Sequence, residues 1–411
     1  MLGTSIAADY CDAMPDAAGL LAVGDIQQLL SVEPGQVYKD IIMSGIMPTS
    51  VLDTTHRQSK KSGIPIASAR IMAGLFPYKE NEELRGFSHV NVDDSMSMGE
   101  VLRLISDDLL KQGLSPDTDL MIMCPQKKGN LGVVTVNDTI KNFINPETED
   151  EQTKAFALKK QKRTQAGKRK GQEEDEAGNE GDYLKLTLHD LVMNLENNMD
   201  IGVMNGEIGT VKGFTHTPEY DADMQPTGKM LPAPIVEFNA KSIVCPPDKL
   251  KNLTVNNAST VHKNQGSENT VAIVILSNSS VRTCSKNLLF TGITRGKGHA
   301  YVVGSAESLM KAVNNVESIT RYTGLKDKLV ARIPKLIENL ERLGAPTDYL
   351  EENIRIIERM KEKEERALAQ AKLGLNAPDW AIKATKKKIV ARTISAPRPT
   401  LSRPSVGARP T

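Results

Sequence analysis

The segment Ser259-Thr260-Val261-His262-Lys263-Asn264-Gln265-Gly266-Ser267-Glu268 leads directly into the apolar run 271–276, Val-Ala-Ile-Val-Ile-Leu. Hydroxyl, amide and cationic side chains crowd the first segment, and these are groups that bind phosphate. The run that follows is apolar at every position rather than at alternate positions, which is typical of a strand buried on both faces. Runs of the same kind occur at 20–23, 120–124 and 300–303.

Helix-like stretches separate these predicted strands, at 34–44, 98–112 and 305–313. Strands that alternate with helices predict an α/β fold with a parallel sheet. Ligands of such sheets bind at the carboxyl ends of the strands. Several of the polar segments considered below follow a predicted strand, so we expect them at that edge.

The charge balance and the lengths of the apolar runs exclude several classes of protein. The chain of 411 residues has 52 Lys and Arg residues against 51 Asp and Glu residues, a net charge of +1. This balance excludes a uniformly basic histone-like chain, so any nucleic-acid surface must be local. No apolar run approaches the roughly 18–20 residues that span a bilayer, and the N-terminus lacks the basic lead of a signal peptide. We therefore expect an intracellular protein with no membrane partner.

The four cysteines stand singly, with no C-x-x-C pair and no His at ligand spacing. This pattern predicts reduced, buried thiols and no metal site.

Local changes in composition predict the remaining organisation. An acidic, a basic and a second acidic stretch follow one another from 147 to 182, which is typical of a disordered insertion. Short strand-like runs separated by Gly turns predict a small antiparallel barrel after it.

Leu and Ile recur at helical spacing from 333 to 373, and Gly344-Ala345-Pro346 interrupts them, so we expect a helical hairpin. The tail 381–411 has eight Lys and Arg residues and no acidic residue, and we expect it to be disordered and able to hold a phosphate backbone.

Three further segments carry candidate functional residues. The first is Val23-Gly24-Asp25-Ile26-Gln27-Gln28-Leu29, in which a Gln after a predicted strand can donate to a phosphate and orient a water. A plain loop capped by Asp25 is the alternative interpretation. The second is Leu52-Asp53-Thr54-Thr55-His56-Arg57-Gln58, and the third is Leu288-Leu289-Phe290-Thr291-Gly292-Ile293-Thr294-Arg295-Gly296-Lys297. A single Arg after a strand is most often a solvated or salt-bridged residue, and only the combination of the segments alters that interpretation.

Taken in order, these segments resemble motifs III, IV, V and VI of superfamily 1 DNA helicases, most closely the RecD-like branch that moves 5′ to 3′. Two linking segments, 125–146 and 197–211, are similar to that family as well, and the second resembles the entry to its small Src-homology-3-like barrel. The similarity extends to about residue 325, where Arg321-Tyr322-Thr323-Gly324-Leu325 resembles the closing segment.

The resemblance implies a role for each matching residue. Gln28 would sense the γ-phosphate of ATP, and Arg57 and Arg295 would act as catalytic arginine fingers, because a planar guanidinium stabilises charge on the transferring phosphoryl group. The implied nucleotide-binding set is Gly24, Asp25, Gln28, Arg57, Gly266, Glu268 and Arg295. The implied contacts to single-stranded DNA are Thr260, His262 and Lys263, although His262 can also be interpreted as a packed core histidine. Lys127 and Lys128 can also be interpreted as facing DNA, but a solvated pair is the preferred interpretation.

The resemblance also implies seven regions. These are a remnant of the first RecA-like domain (1–56), the first part of the second RecA-like domain (57–146), the disordered insertion (147–182), the barrel (183–245), the second part of the second RecA-like domain (246–330), a helical extension (331–380) and the basic tail (381–411).

The sequence contains no G-x-x-x-x-G-K-[ST] loop, and no acidic pair to hold Mg²⁺ is found. Met1 is therefore interpreted as an internal start in a longer gene, and we expect no ATP hydrolysis by this chain alone. Two hypotheses follow. The chain is the C-terminal part of an ATP- and Mg²⁺-dependent helicase of DNA repair or recombination, whose N-terminal half is encoded elsewhere; or it is a non-catalytic remnant that binds single strands.

Overall fold

The computed structural model describes residues 2–15, 18–52, 56–59, 61–92, 98–111, 120–127, 129, 131–145, 156–159, 183–199, 202–220, 225–246, 252–277, 279–280, 283–315, 321, 323–372 and 377–378. In chain order the elements are α1 Thr4–Ala13, α2 Val37–Ser44, α3 Ile64–Met72, β1 Phe87–Val90, α4 Met98–Lys111, β2 Leu120–Cys124, α5 Val133–Ile144, β3 Phe156–Lys159, β4 Tyr183–Leu186, β5 Leu191–Asn194, β6 Ile208–Tyr220, β7 Pro226–Phe238, β8 Lys241–Val244, β9 Leu253–Val255, β10 Ala258–Thr260, β11 Asn269–Ile275, α6 Lys286–Ile293, β12 Gly296–Val303, α7 Ala306–Asn314, α8 Leu325–Val330, α9 Ile333–Arg342 and α10 Tyr349–Lys372.

A five-stranded parallel sheet, in the order β1-β12-β11-β2-β10, forms the centre of the fold. Its middle strand, β11, is buried from Val271 to Ile275, because helices cover both faces of the sheet. One core contains α3, α6 and α7, and the other contains α4 and α5. The predicted α/β fold with a parallel sheet is confirmed, and so are the strands at 120–124, 271–276 and 300–303.

The run 20–23 is not a strand. It has no regular secondary structure, and Leu21 and Val23 are 87% and 84% exposed. A buried strand needs a neighbour for its backbone hydrogen bonds, and none of the described residues pairs with this run. Leu52, in the second of the three segments, is 92% exposed in the same way.

The inserted region, where the sequence predicts a small antiparallel barrel, is a five-stranded antiparallel sheet. Its order is β8-β7-β6-β5-β9, and among the described residues no pairing joins the two edge strands. β9 lies beyond the predicted boundary at 245 and belongs to this sheet, because Val255 pairs with Val192 of β5.

The predicted disordered insertion is partly ordered, since β3 pairs with β4 in a separate two-stranded sheet. The prediction of disorder is wrong for 156–159, and the rest of 147–182 lies outside the described residues, as do the whole of the tail 381–411 and Lys128.

The predicted helical hairpin is present as α9 and α10, and Gly344 between them has a φ of +65°, which suits glycine. α10 lies against α2 near the start of the chain. Asn353 is buried there and donates from Nδ2 to the carbonyls of Gly45 and Met47, both at 2.8 Å. Lys39 and Glu364 form an ion pair at 2.8 Å. The C-terminal helices therefore hold the N-terminal region in place.

Three of the four cysteines are buried as expected, and burial raises the pKa of Cys245 to about 11. Cys11 is exposed, which corrects the expectation for that residue. None of the helices in the described ranges combines the length and apolarity that a membrane crossing requires.

Candidate functional site

Arg295 lies at the centre of a polar cluster beside the amino ends of β11 and β12. Its side chain is buried, and Nη2 donates to Oε1 of Gln28 at 2.9 Å. Nε donates to the carbonyl of Thr291 at 3.1 Å, and Nη1 donates to the carbonyl of Ser267 at 3.2 Å. These bonds fix the plane of the guanidinium, so Arg295 and Gln28 meet although 267 positions separate them in the sequence.

Arg57 and Glu268 lie at the edge of the same cluster. Arg57 Nε and Glu268 Oε2 form an ion pair at 3.0 Å, and Arg57 Nη1 donates to the carbonyl of Thr294 at 2.9 Å. The other carboxylate oxygen of Glu268 contacts Lys297 Nζ at 2.5 Å. The bond from Lys297, followed by the charges of Lys297 and Arg57, lowers the pKa of Glu268. We call Gln28, Arg57, Glu268, Arg295 and Lys297 the arginine cluster.

The arginine cluster suits an anion. Burial lowers the pKa of Arg295, and the charge of Arg57 lowers it further, while Asp25 and Glu268 oppose this. Two guanidinium groups that repel one another are stabilised by a bound phosphate, which accepts from both. The residues present therefore fit the phosphate end of a nucleotide. Within the described ranges no three His, Cys, Asp or Glu side chains come together as metal ligands.

Two predicted nucleotide-binding residues are glycines in exposed loops. Gly24 is exposed, and its carbonyl accepts from the hydroxyl of Tyr38. Gly266 is an exposed turn residue with a φ of +96°. Asp25 holds Gln28 indirectly, because its carboxylate accepts from Gln27 N at 2.8 Å and from Gln28 Nε2 at 3.2 Å. Asp25 therefore caps the loop, as the alternative interpretation expected, and Gln28 of the same loop contacts Arg295.

A cleft of about 520 Å³ lies at the carboxyl ends of β2 and β10. The predicted DNA-contacting residues Thr260, His262 and Lys263 line it together, and Lys127 and Arg321 add two further cations. Its other lining residues are Leu29, Leu30, Ser31, Val32, Pro125, Thr283, Ser285, Asn287 and Leu288. Lys127, which was interpreted as solvated, is exposed and also lines this cleft.

The chemistry of the cleft suits a sugar-phosphate backbone. Cations, hydroxyls and an amide bind phosphate oxygens, whereas the apolar residues can contact sugar and base faces. Among the described residues that line the cleft, none is aromatic. His262 is half-buried, and burial lowers its pKa, so the imidazole is neutral near neutral pH. Its place in the cleft favours the DNA-contact interpretation over that of a core histidine.

The two sites lie at opposite edges of the parallel sheet. The expectation that ligands meet at the carboxyl ends holds for the cleft, but Glu268 and Arg295 lie beside the amino ends of β11 and β12. α6 joins the two sites, because Ser285 and Asn287 at its start line the cleft and Arg295 follows its end.

Sequence reasoning missed several residues of this connection. Asn287 Nδ2 donates to the carbonyls of Gln27 and Gln28 at 2.9 and 3.2 Å. Thr291 Oγ1 accepts from Leu29 N at 3.0 Å, and the buried Gln58 donates to the carbonyl of Gly296 at 2.9 Å. Thr291, Gln58 and Lys297 stand inside the quoted motifs, so their positions were visible, but only the fold shows which atoms they contact.

The parallel sheet with its neighbouring antiparallel sheet, the arginine cluster and the cation-lined cleft define the class, an α/β protein. Comparison with known proteins finds similarity to helicases. The UvrD-like helicase C-terminal domain profile matches residues 257–303, and the AAA domain profile matches residues 1–90. The chain is related by sequence to the RecD-like branch of superfamily 1 helicases, which confirms the resemblance.

Among its relatives, the ATP-dependent RecD2 DNA helicase of Deinococcus radiodurans is 24% identical over 80% of this chain and 39% of the relative. The RecBCD enzyme subunit RecD of Mycolicibacterium smegmatis is 23% identical over 80% of this chain and 52% of the relative. The chain thus spans about half the length, or less, of these curated relatives. A crystal structure of Pif1 helicase from Bacteroides with ADP-AlF3 and ssDNA is 17% identical over 75% of this chain and 66% of that one, with a TM-score of 0.37.

Proposed function

We propose that the chain is the C-terminal part of an ATP-dependent DNA helicase that moves 5′ to 3′ along single-stranded DNA. The observation that carries the proposal is the contact between Gln28 and Arg295, next to Arg57 and Glu268, at one end of a segment whose other end lines the cleft. A phosphate at the arginine cluster and a strand in the cleft would thus act on the same few residues.

In this function Arg57 and Arg295 hold the γ-phosphate of ATP and stabilise the charge that develops on it during transfer. Gln28 orients the attacking water or the phosphate, because its amide reaches Arg295 on one side and Asp25 on the other. Thr260, His262 and Lys263 contact the DNA backbone. The lysine of a phosphate loop and the ligands of Mg²⁺ come from an N-terminal half, and the exposed Leu21, Val23 and Leu52 support a surface that this half covers.

The test begins with the genomic DNA upstream of the Met1 codon, where we expect an in-frame phosphate loop and Asp-Glu pair, or else a separate gene that encodes them. That half is then purified together with this chain. We expect ATP hydrolysis that single-stranded DNA stimulates, with a loss of at least about 100-fold in Arg295→Ala and no loss in Arg332→Gln, an exposed arginine outside both sites. A complex that forms but does not hydrolyse ATP contradicts the proposal. Forks with a 5′ or a 3′ single-stranded tail test the direction.

A second candidate function is non-catalytic binding of single strands. The cleft is built from this chain alone, whereas the phosphate loop is not in its sequence. This candidate gives salt-dependent binding of an oligonucleotide without nucleotide or partner. Unchanged affinity after removal of the tail and replacement of both His262 and Lys263 contradicts it.

A further inference from the structure

Arg321 is a cleft residue whose role the proposed function does not assign. Its guanidinium donates to three backbone carbonyls of one short segment: Nη2 to Ser31 at 2.7 Å, and Nη1 to Glu33 at 2.6 Å and Gly35 at 3.4 Å. We call 31–35 the cleft wall, because Ser31 and Val32 line the cleft. Arg321 lies 290 positions from Ser31, so these bonds are tertiary contacts that local sequence does not supply.

The cleft wall depends on such contacts for its shape. It contains only bends and irregular structure, so its carbonyls accept from other parts of the chain rather than from a regular element of their own. One of them, the carbonyl of Pro34, accepts from N and Oγ1 of Thr4 at the start of α1, at 3.1 and 3.2 Å. At its N-terminal side Leu29 and Gln28 are held by Thr291 and Asn287 of α6. At its C-terminal side Arg321 holds it together with Thr4 and with Ser31 Oγ, which donates to the carbonyls of Glu33 and Gly35 at 2.8 and 3.1 Å. Thr323, two positions after Arg321, donates to the buried carboxylate of Asp40.

The charge of Arg321 is not neutralised within the described part of the chain, where no carboxylate lies within ion-pair distance of its guanidinium. Carbonyl oxygens orient a guanidinium but leave its full positive charge in place. Three bonds to carbonyls therefore hold a cation at the surface of the cleft, beside Lys127 and Lys263. Such a cation attracts a phosphodiester.

We infer that Arg321 is a positioning residue of the strand-binding cleft, which fixes the cleft wall and offers one charge to a backbone phosphate of single-stranded DNA. The inference rests on the proposed binding of a single strand in this cleft. Because the cleft wall continues into Gln28, occupancy of the cleft is transmitted through Arg321 to the contact between Gln28 and Arg295.

The experiment measures binding of a fluorescent oligothymidylate of about 20 nucleotides to the full chain by anisotropy, over a range of salt concentrations. For Arg321→Gln we expect an affinity loss of about tenfold at low salt and a salt slope smaller by about 0.7, the value for one phosphate contact on a single strand. Arg321→Lys keeps the charge but cannot reach three carbonyls at once. We expect it to keep the wild-type salt slope and to lose affinity several-fold.

Amide hydrogen exchange tests whether the cleft wall is held in place, which the charge of residue 321 alone does not determine. In the wild-type chain we expect the oligonucleotide to slow exchange in a peptide that covers 24–35, and in Arg321→Lys we expect this protection to be lost. Arg332→Gln is the matched control, since it removes the same charge from an exposed position outside the cleft. Thermal unfolding of each variant checks that it is folded. If Arg321→Gln does not fold, the affinity and hydrogen exchange of Arg321→Lys still test the positioning role.

The outcomes separate the two proposals. If the wild-type chain binds no oligonucleotide, the proposed binding of a strand in this cleft fails, and this inference fails with it, whereas hydrolysis by the complex tests the proposed helicase function separately. If the wild-type chain binds and Arg321→Gln binds equally well with the same salt slope, only this inference is overturned. If Arg321→Lys matches the wild type in affinity and in exchange, the positioning role is wrong.

Discussion

Thr291 is the residue that joins α6 to the segment between the two sites. Its buried hydroxyl donates to the carbonyl of Asn287 at 2.7 Å and accepts from Leu29 N at 3.0 Å. Thr291→Val keeps the shape but leaves the amide of Leu29 without an acceptor, at a cost of about 1–3 kcal/mol. We expect the free energy of unfolding in urea to fall by that amount, and affinity for a single strand to fall as well.

Thr291→Ser is the control for this change, because it keeps the hydroxyl. It removes one methyl group and we expect it to lose about 1 kcal/mol with no change in affinity for the strand. If Thr291→Val binds the strand as the wild type does, α6 does not set the position of the segment.

His89 gives the stability of the chain a dependence on pH. Nδ1 contacts the hydroxyl of Tyr78 at 2.9 Å, Nε2 contacts the carbonyl of Gly304 at 2.9 Å, and burial lowers the pKa of His89 to about 4. The unfolded chain takes up this proton near pH 6.5. Stability is therefore full above about pH 6.5 and falls as the pH drops toward about 4, because only the unfolded state gains the proton in that window.

Between about pH 7 and pH 5 we expect this group to remove about 2 kcal/mol from the free energy of unfolding. His89→Gln does not titrate, so its unfolding free energy in urea at the two pH values should change by about 2 kcal/mol less than that of the wild type. His299, which burial also shifts to a pKa of about 4, titrates in both proteins and cancels in the comparison. Equal pH dependence in the two proteins would rule out His89 as the source.

At the scale of elements, α6 packs on β11 through a glycine. A Cβ at Gly292 would lie 2.6 Å from Cγ2 of Val274. Val274 and Gly292 thus form a complementary pair across the interface. Gly296, at the start of β12, also has a close neighbour, since a Cβ there would lie 2.3 Å from the carbonyl oxygen of His299.

Gly292→Ala tests this packing. We expect it to lower the free energy of unfolding by about 1–2 kcal/mol, because the clash with Val274 outweighs the gain in helix propensity. Combined with Val274→Ala, the same change should cost nothing or stabilise, a coupling of at least about 1 kcal/mol in the double-mutant cycle. The control is Gly99→Ala in α4, where an added Cβ meets nothing within 4 Å. Additive effects of the two changes would show that Val274 is not the obstacle.

The same scale shows what the sequence could predict. Unbroken apolar runs located β2, β11 and β12, because central strands of a parallel sheet are buried on both faces. The run 20–23 has the same composition and yet is exposed, since a strand also needs a partner that composition does not reveal. The ordered motifs assigned Gln28, Arg57, Glu268 and Arg295 to one nucleotide site, and the four residues lie together, but which of them contact one another was not predicted. Lys297 and Arg321 were not predicted, because their contacts are long-range and depend on the fold.

At the scale of the whole molecule, the chain closes on itself. Arg321, Thr323, Asn353 and Glu364 all contact residues between 31 and 47. Residues 321–364 therefore contact the segment 31–47 at several points, and the part of it that lines the cleft is held by α6 at one end and by Arg321 at the other. A displacement of the cleft-lining residues 29–32 would also displace Gln28 of the arginine cluster, because Gln28 directly precedes them in the chain.

The basic tail 381–411 adds charge to this molecule, with eight Lys and Arg residues and no acidic one. If it holds a phosphate backbone, each cation that contacts a phosphate adds about 0.7 to the slope of log affinity against log salt for a single strand. We expect deletion of 381–411 to lower affinity for the oligothymidylate strongly at low salt and only slightly at high salt. A full-length chain with all eight cations replaced by Gln should behave like the deletion, since the effect comes from charge and not from length. A salt slope that neither change alters would assign the salt dependence to the cleft cations alone.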